Sequence, residues 1–469
     1  MSASQPPSFV CICGRHTLYL CRITFLDSSM NTVSRAALAI AFNVAALPSM
    51  ALAADWYVSA TGSDSNPGTL AAPFSSIMAA QTAASAGDTV YLRGGTYRLS
   101  NTSISTVGPV RAVVNNIVKN GISYVGYAEE WPVFDFSSVT PTDRRVVAFR
   151  VAASNCVFKG FDVVGVRITI ADRPTQSKAF FVDGGNSNLF ENLAIHDGNA
   201  IGWYVVAGSN NRVRNVDAYN NKGLNAFSDG NIDGFGAHPT LAGSTGNIIE
   251  TSRAWFNSDD GFDLINDAAA VTLQNNWSFY NGYDTDFTPL GNGAGFKAGG
   301  YGRNGAAYPK PVPRHVVRFN LAVRNRTNGL YANHHIGGQD WISNTGISNG
   351  RANYDMQSTL DDNRTDVPGY DHYLANNLAY GTRLEITNLG SAAENDIGRN
   401  SFTLPLSVVT SDFVSLDDRQ LMRPRQRNGY LPAITFAIPA PGSALIDAGT
   451  NTGNPFNGRA PDLGAFESR

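Results

Sequence analysis

Val271-Thr272-Leu273-Gln274-Asn275 places apolar side chains at alternating positions and ends on asparagine, the mark of a short strand with one face buried. Asn188-Leu189-Phe190-Glu191-Asn192, Asn211-Arg212-Val213-Arg214-Asn215, Asn247-Ile248-Ile249-Glu250-Thr251, His315-Val316-Val317-Arg318-Phe319 and Asp371-His372-Tyr373-Leu374-Ala375-Asn376 share the pattern. Downstream of five of these strands stand Asn221, Asn257, Asn281, Asn325 and Asn349, separated by 36, 24, 44 and 24 residues. Two bare turns of 24 thus alternate with turns enlarged by 12 and 20. A unit of that size, with two or three short strands and asparagine at the corners, is what one coil of a parallel β-helix needs, each coil pairing with its neighbours at about 4.8 Å. Asparagine both donates and accepts and tolerates left-handed backbone, so equivalent corners can stack as a hydrogen-bonded ladder. Some 400 residues at this pitch make about ten coils with inserted loops, an all-β fold. The competing fold is a β-sandwich with accidental asparagine spacing, but hairpin signals such as Asn-Gly are few.

Composition agrees. Of 469 residues 43% are hydrophobic and 16% charged, enough to bury a core, and 46 glycines with abundant Asn and Asp indicate many tight turns. Met30 to Arg35, the apolar Ala36 to Pro48 and Ala51-Leu52-Ala53 read as the three parts of a secretory signal peptide, residues 30–53. Asn43 and Pro48 interrupt the apolar run that a membrane anchor would require. Residues 1–29 read as an upstream leader of uncertain status, and 54–469 as the β-helix catalytic domain. Without residues 1–53 the balance is 32 basic to 37 acidic, which points away from nucleic acid. Cys156 alone remains, so no internal disulfide forms. With no histidine near it in sequence, it reads as a packed core residue. A secreted monomer, periplasmic or extracellular and free of the membrane, is expected.

Shortly after the asparagine column a glycine precedes an apolar residue at Gly261-Phe262, Gly295-Phe296 and Gly329-Leu330. Strand side chains alternate, so Phe262, Phe296 and Leu330 share one face and Asp263, Lys297 and Tyr331 the other. With the first set in the core, Asp263 and Lys297 project from adjacent coils into solvent, an acid close to a base. Asp259 and Asp260 lie just before Asp263, and Asp233-Gly234-Phe235 repeats the Asp-Gly-Phe element one coil earlier. Four converging carboxylates repel one another and carry raised pKa values unless a cation joins them, and oxygen ligands select a hard ion such as calcium. The spacing matches neither an EF-hand loop nor the calcium nonapeptide. An isolated Asp-Asp-Gly is ordinarily an exposed turn; the shared register with Asp233 and Lys297 sets this one apart.

The run Asn257 to Leu264, the run Gly295-Phe296-Lys297-Ala298-Gly299-Gly300, the opening Trp56 to Gly68 and the closing Pro461 to Glu467 together resemble polysaccharide lyase family 9. The resemblance spans nearly the whole chain after residue 53. It implies a right-handed parallel β-helix, a calcium site at Asp233, Asp259, Asp260 and Asp263, a catalytic base at Lys297 and an acidic polysaccharide as partner, pectate first. One departure concerns substrate preference: the family often has a lysine where this chain reads Gly236-Ala237-His238. His238 is then either a subsite residue or a turn histidine, with the turn preferred. The proton on carbon 5 of a uronate is very weakly acidic, so calcium bridging the carboxylate would have to assist a neutral Lys297 in removing it. Arg303, Arg314, Arg324, Arg326 and Tyr331 are candidate subsite groups, since guanidinium forks pair with carboxylates. Two other readings stay open: a glycoside hydrolase using the aspartates as acid and base, and a non-catalytic carbohydrate-binding protein on the same scaffold.

Overall fold

The computed structural model describes residues 53–468. The expected leader (1–29) and signal peptide (30–53) lie outside them but for Ala53. The chain winds into a parallel coil with three columns of strands. One column stacks Arg212–Arg214, Asn247–Glu250, Val271–Gln274, Val316–Arg318, Asp340–Ile342 and Tyr373–Ala375. The second stacks Asp217–Tyr219, Arg253–Trp255, Trp277–Phe279, Leu321–Val323, Thr345–Ile347 and Leu378–Tyr380. The two are joined through Leu189–His196, which pairs with both. The third column is a separate sheet of 11 strands, all parallel except the first pair, which agrees with about ten coils. Among the described residues no helix is long and apolar enough to cross a membrane.

Asparagine turns the corners as anticipated. Nδ2 of Asn221 donates to Oδ1 of Asn257 (3.1 Å), Asn257 to Asn281, Asn281 to Asn325 and Asn325 to Asn349 (each 3.0 Å). A second ladder runs Asn276, Asn320, Asn344, Asn377, Asn400. These amides are buried, so each bond also averts the cost of a stranded donor, about 1–3 kcal/mol. The left-handed backbone falls one residue earlier than expected: Asn220, Phe256, Tyr280, Arg324 and Ser348 all have φ between 48° and 59°. The corner residue takes the strain, and the ladder asparagine after it is free to point inward.

Phenylalanines stack along the interior at the rung spacing, with Phe235, Phe262 and Phe296 centred 4.8 Å apart and nearly parallel. Cys156 is buried in this core. The strands end at Ile397, and the remaining chain is cover rather than coil, a departure from a β-helix running through 54–469. Its Phe413, Leu421, Phe436, Leu445 and Leu463 pack on Trp255, Trp277, Phe279, Leu321 and Val323 of the second column. That outer face is apolar and needs burial, whereas the outer face of the third column carries the charged row described next.

Candidate active site

In the third column Phe262 pairs with Phe296 and Leu330 in succession, and Asp263 with Lys297 and Tyr331. One rung earlier Gly236 pairs with Asp263. The glycines of this row are there for closeness: a Cβ on Gly234 would lie 2.8 Å from the Gly261 carbonyl oxygen, and one on Gly261 2.8 Å from that of Gly295. The Asp-Gly-Phe and Gly-Phe-Lys elements are therefore the same rung repeated, which is what brings their acids and amine together.

Asp233, Asp259 and Asp260 present carboxylate oxygens within 4.8 Å of one another. Asp260 is held on both sides, Oδ1 accepting from the Ala294 N–H (2.6 Å) and Oδ2 from the Lys297 ammonium (3.0 Å). Asp259 Oδ1 accepts from the Asn292 N–H. Asp263 lies on the lysine side of the group, with Oδ2 3.3 Å from Nζ and Oδ1 without a partner. The expectation that Asp263 and Lys297 project into solvent is corrected. They do leave the coil outward, but Asp263 is buried beside His238 and Lys297 is turned onto Asp260 and Asp263, while Asn292 and Ala294 of the next rung donate to Asp259 and Asp260. All four aspartates are buried and the lysine side chain is 15% exposed.

Burial raises all four aspartates above the usual carboxylate range; repulsion from neighbouring acids adds to it at Asp233 and Asp259, which stand well above that range, while Lys297 opposes the rise at Asp260 and Asp263. Burial alone would discharge Lys297, but Asp260, Asp263, Asp259 and Asp233 outweigh it and hold the ammonium well above the ordinary lysine range. One cation among four acids leaves the pocket short of positive charge. Its donors are oxygens, a set that fits calcium.

His238 is not a turn histidine. It follows the strand Phe235–Ala237, is buried, lies 3.8 Å from Asp263 through Nε2 and bonds the Tyr204 hydroxyl at 2.9 Å through Nδ1. Burial, Lys297 and Lys178 push it down to about 3, so it is a neutral ring. Tyr331 stands one rung beyond Lys297, its phenol pushed up to about 12 by burial and then by Asp355. Arg303 is ion-paired with Asp366, whose other oxygen holds His334 against Tyr331. Arg326 bonds the Gly291 carbonyl, next to Asn292. Arg314 and Arg324 are not brought to the cluster. Arg314 pairs with Asp340 and the Asp371 carbonyl, and Arg324, a left-handed corner, turns outward to Asp418 of the C-terminal cover. The sequence reading missed Tyr204 and Lys178, which lie on earlier coils with no Asp-Gly-Phe element beside them; a lysine directly before the apolar run Ala179 to Val182 was the available signal.

A model of the Pel9A-like right-handed β-helix region matches residues 56–377. The chain belongs to polysaccharide lyase family 9. Pectate lyase L of Dickeya dadantii (strain 3937) is 34% identical over 423 residues, which cover 88% of this chain and 90% of that protein. A solved structure described as a rhamnogalacturonan lyase matches with a TM-score of 0.78 at 41% identity, covering 82% of this chain and 96% of that one. The crystal structure of pectate lyase Pel9A matches with a TM-score of 0.70 at 31% identity, covering 89% and 96%. This family 9 member is a polysaccharide lyase, and the hydrolase and non-catalytic readings fall away.

Proposed function

We propose that this lyase cleaves a polyuronide, pectate first, by β-elimination, with calcium held by Asp233, Asp259, Asp260 and Asp263 and with Lys297 as the base. The observation that carries this reading is the Lys297 amine seated 3.0 and 3.3 Å from two members of a buried acid group that it does not balance. When bound there, calcium would act as a Lewis acid toward the substrate carboxylate and acidify the proton on carbon 5. Lys297 is the basic group positioned to take that proton. Calcium held by the aspartates would weaken the field that keeps the amine protonated, and burial would then favour the neutral form. Nζ then gains the proton, the C5–H electrons form the C4–C5 double bond, and the bond to the oxygen on carbon 4 breaks with its electrons on the leaving sugar. Tyr331 and the neutral ring of His238 flank Lys297 and Asp263 as uncharged hydrogen-bonding groups for sugar hydroxyls. Arg303 and Arg326 border the same row. The signal-peptide reading of residues 30–53 supports action outside the cytoplasm.

A rhamnogalacturonan backbone is the second substrate reading, and a specific feature favours it. In the stretch Gly236-Ala237-His238, where the family often has a lysine, a Cβ on Gly236 would lie 2.5 Å from the Tyr204 ring, so an aromatic wall lines that stretch. The relative described as a rhamnogalacturonan lyase points the same way. The test is ultraviolet absorbance of the conjugated product from polygalacturonate and from rhamnogalacturonan, each with and without chelator. Absorbance that needs calcium is expected on at least one, the faster naming the substrate; no absorbance on any uronide would sink the proposal.

A further inference from the structure

Lys178 lies on Ser177–Asp183, two rungs of the third column before the Asp233 element, and is 3% exposed. Its ammonium sits 4.1 Å from the centre of the Tyr204 ring and 5.7 Å from that of Phe181. Its hydrogen bond among the described residues goes to a neutral group, Gln176 Oε1, at 3.2 Å. Arg111 and Arg145 face each other across neighbouring strands of the same sheet, and the Arg111 guanidinium lies 4.8 Å over the other ring, Phe181. Among the described residues none of the three has a carboxylate within ion-pair distance, whereas Lys159, Arg212, Arg214 and Arg253 all do.

We propose that Lys178, with Arg111 and Arg145 beside it, is a second subsite of the lyase and binds the carboxylate of another acidic sugar in the same polysaccharide chain. The inference rests on the lyase reading and extends it along the molecule. A buried ammonium is costly without a counter-charge, and here like charges are gathered around it. Burial, then Arg111 and Arg145, pull Lys178 down to about 7 against the weaker opposing pull of Asp233, which is beyond ion-pair distance, and an arriving anion relieves that repulsion. The site shares its wall with the catalytic row: Lys178 packs on one side of Tyr204, whose hydroxyl holds His238, which in turn lies beside Asp263. Phe181, Tyr204, Gly236, Asp263 and Lys297 follow one another in register along the coil axis. Four rungs separate the strand of Lys178 from that of Lys297, about 19 Å, a span that one extended polysaccharide of several sugars covers. A surface pocket lined by Arg111, Arg150 and Phe181 continues the same wall beyond Lys178.

The test is the dependence of KM on chain length, measured with oligogalacturonates and polymer for the wild type, Lys178→Met, which keeps the stem on Tyr204, and Arg145→Gln at the rim. Loss of a charge-assisted contact predicts a rise in KM for Lys178→Met that reaches about tenfold on long substrates and shrinks on the shortest cleavable one. A smaller rise of the same form is expected for Arg145→Gln, which decides the matter if Lys178→Met does not fold. The same KM at every length, or kcat and KM altered equally at all lengths, overturns the subsite. A wild type that turns over no uronide overturns the lyase reading instead, and calorimetric binding of oligogalacturonate to wild type and Arg145→Gln then decides the subsite without turnover.

Discussion

Two buried acid sites in this protein are built to opposite rules. Asp217, in the second column, is gripped by Arg253 (2.6 Å) and Arg425 (2.7 Å), and these arginines overcome burial and hold its carboxyl below the usual range. The Asp233 group, in the third column, shares one lysine among four carboxyls, all raised. The first site is complete in the protein and ties the C-terminal cover to the coil through Arg425. The second has no such match among the described residues, which is why we propose a cation for it. Surplus charge of one sign, kept buried, sets the proposed reactive face apart, and the same imbalance with opposite sign recurs at Lys178.

The sharpest break of that comparison is Lys297→Ala. It is expected to lower kcat by about 10²–10⁴-fold, the range of a lost general base, while calcium still binds. Asp217→Asn strands two buried arginines and is expected to cost about 3–5 kcal/mol of stability in denaturant unfolding, with turnover per folded molecule retained. Asp233→Asn acts in the opposite sense. It relieves repulsion in the metal-free chain, raising its stability by on the order of 1 kcal/mol, while weakening calcium binding. The smallest effect is in pH. Raised folded-state carboxyls contribute stability that is present below their unfolded pKa and lost as pH rises through the folded values. The melting temperature of the metal-free chain should therefore fall as pH climbs above the ordinary carboxylate range, and calcium should flatten that slope. Asp217, with its lowered carboxyl, contributes the reverse dependence, lost only as pH falls through its folded value.

The coil and the pairing of Asp263 with Lys297 were legible because both follow from strict periods: 24 residues per bare turn and two per strand alternation. The insertions were legible as lengths but not as shapes, and the burial of the acids, two of which accept from the Asn292 and Ala294 N–H groups of the next rung, was not legible either. Arg314 and Arg324 misled for a related reason. A partner such as Asp418 lies 94 positions from Arg324 in a segment without repeat, and no local pattern announces the contact. His238 and Tyr204 reveal themselves only through each other, across one rung and 34 residues.

The central claim is that the Asp233 group is a cation site rather than a strained piece of core. Calcium titrated into the metal-free protein by calorimetry, wild type beside Asp259→Asn, tests it most directly. One saturable site in the wild type, weakened at least about tenfold by the substitution, is the expected result. The same isotherm for both proteins, or no calcium binding by the folded wild type, would contradict it.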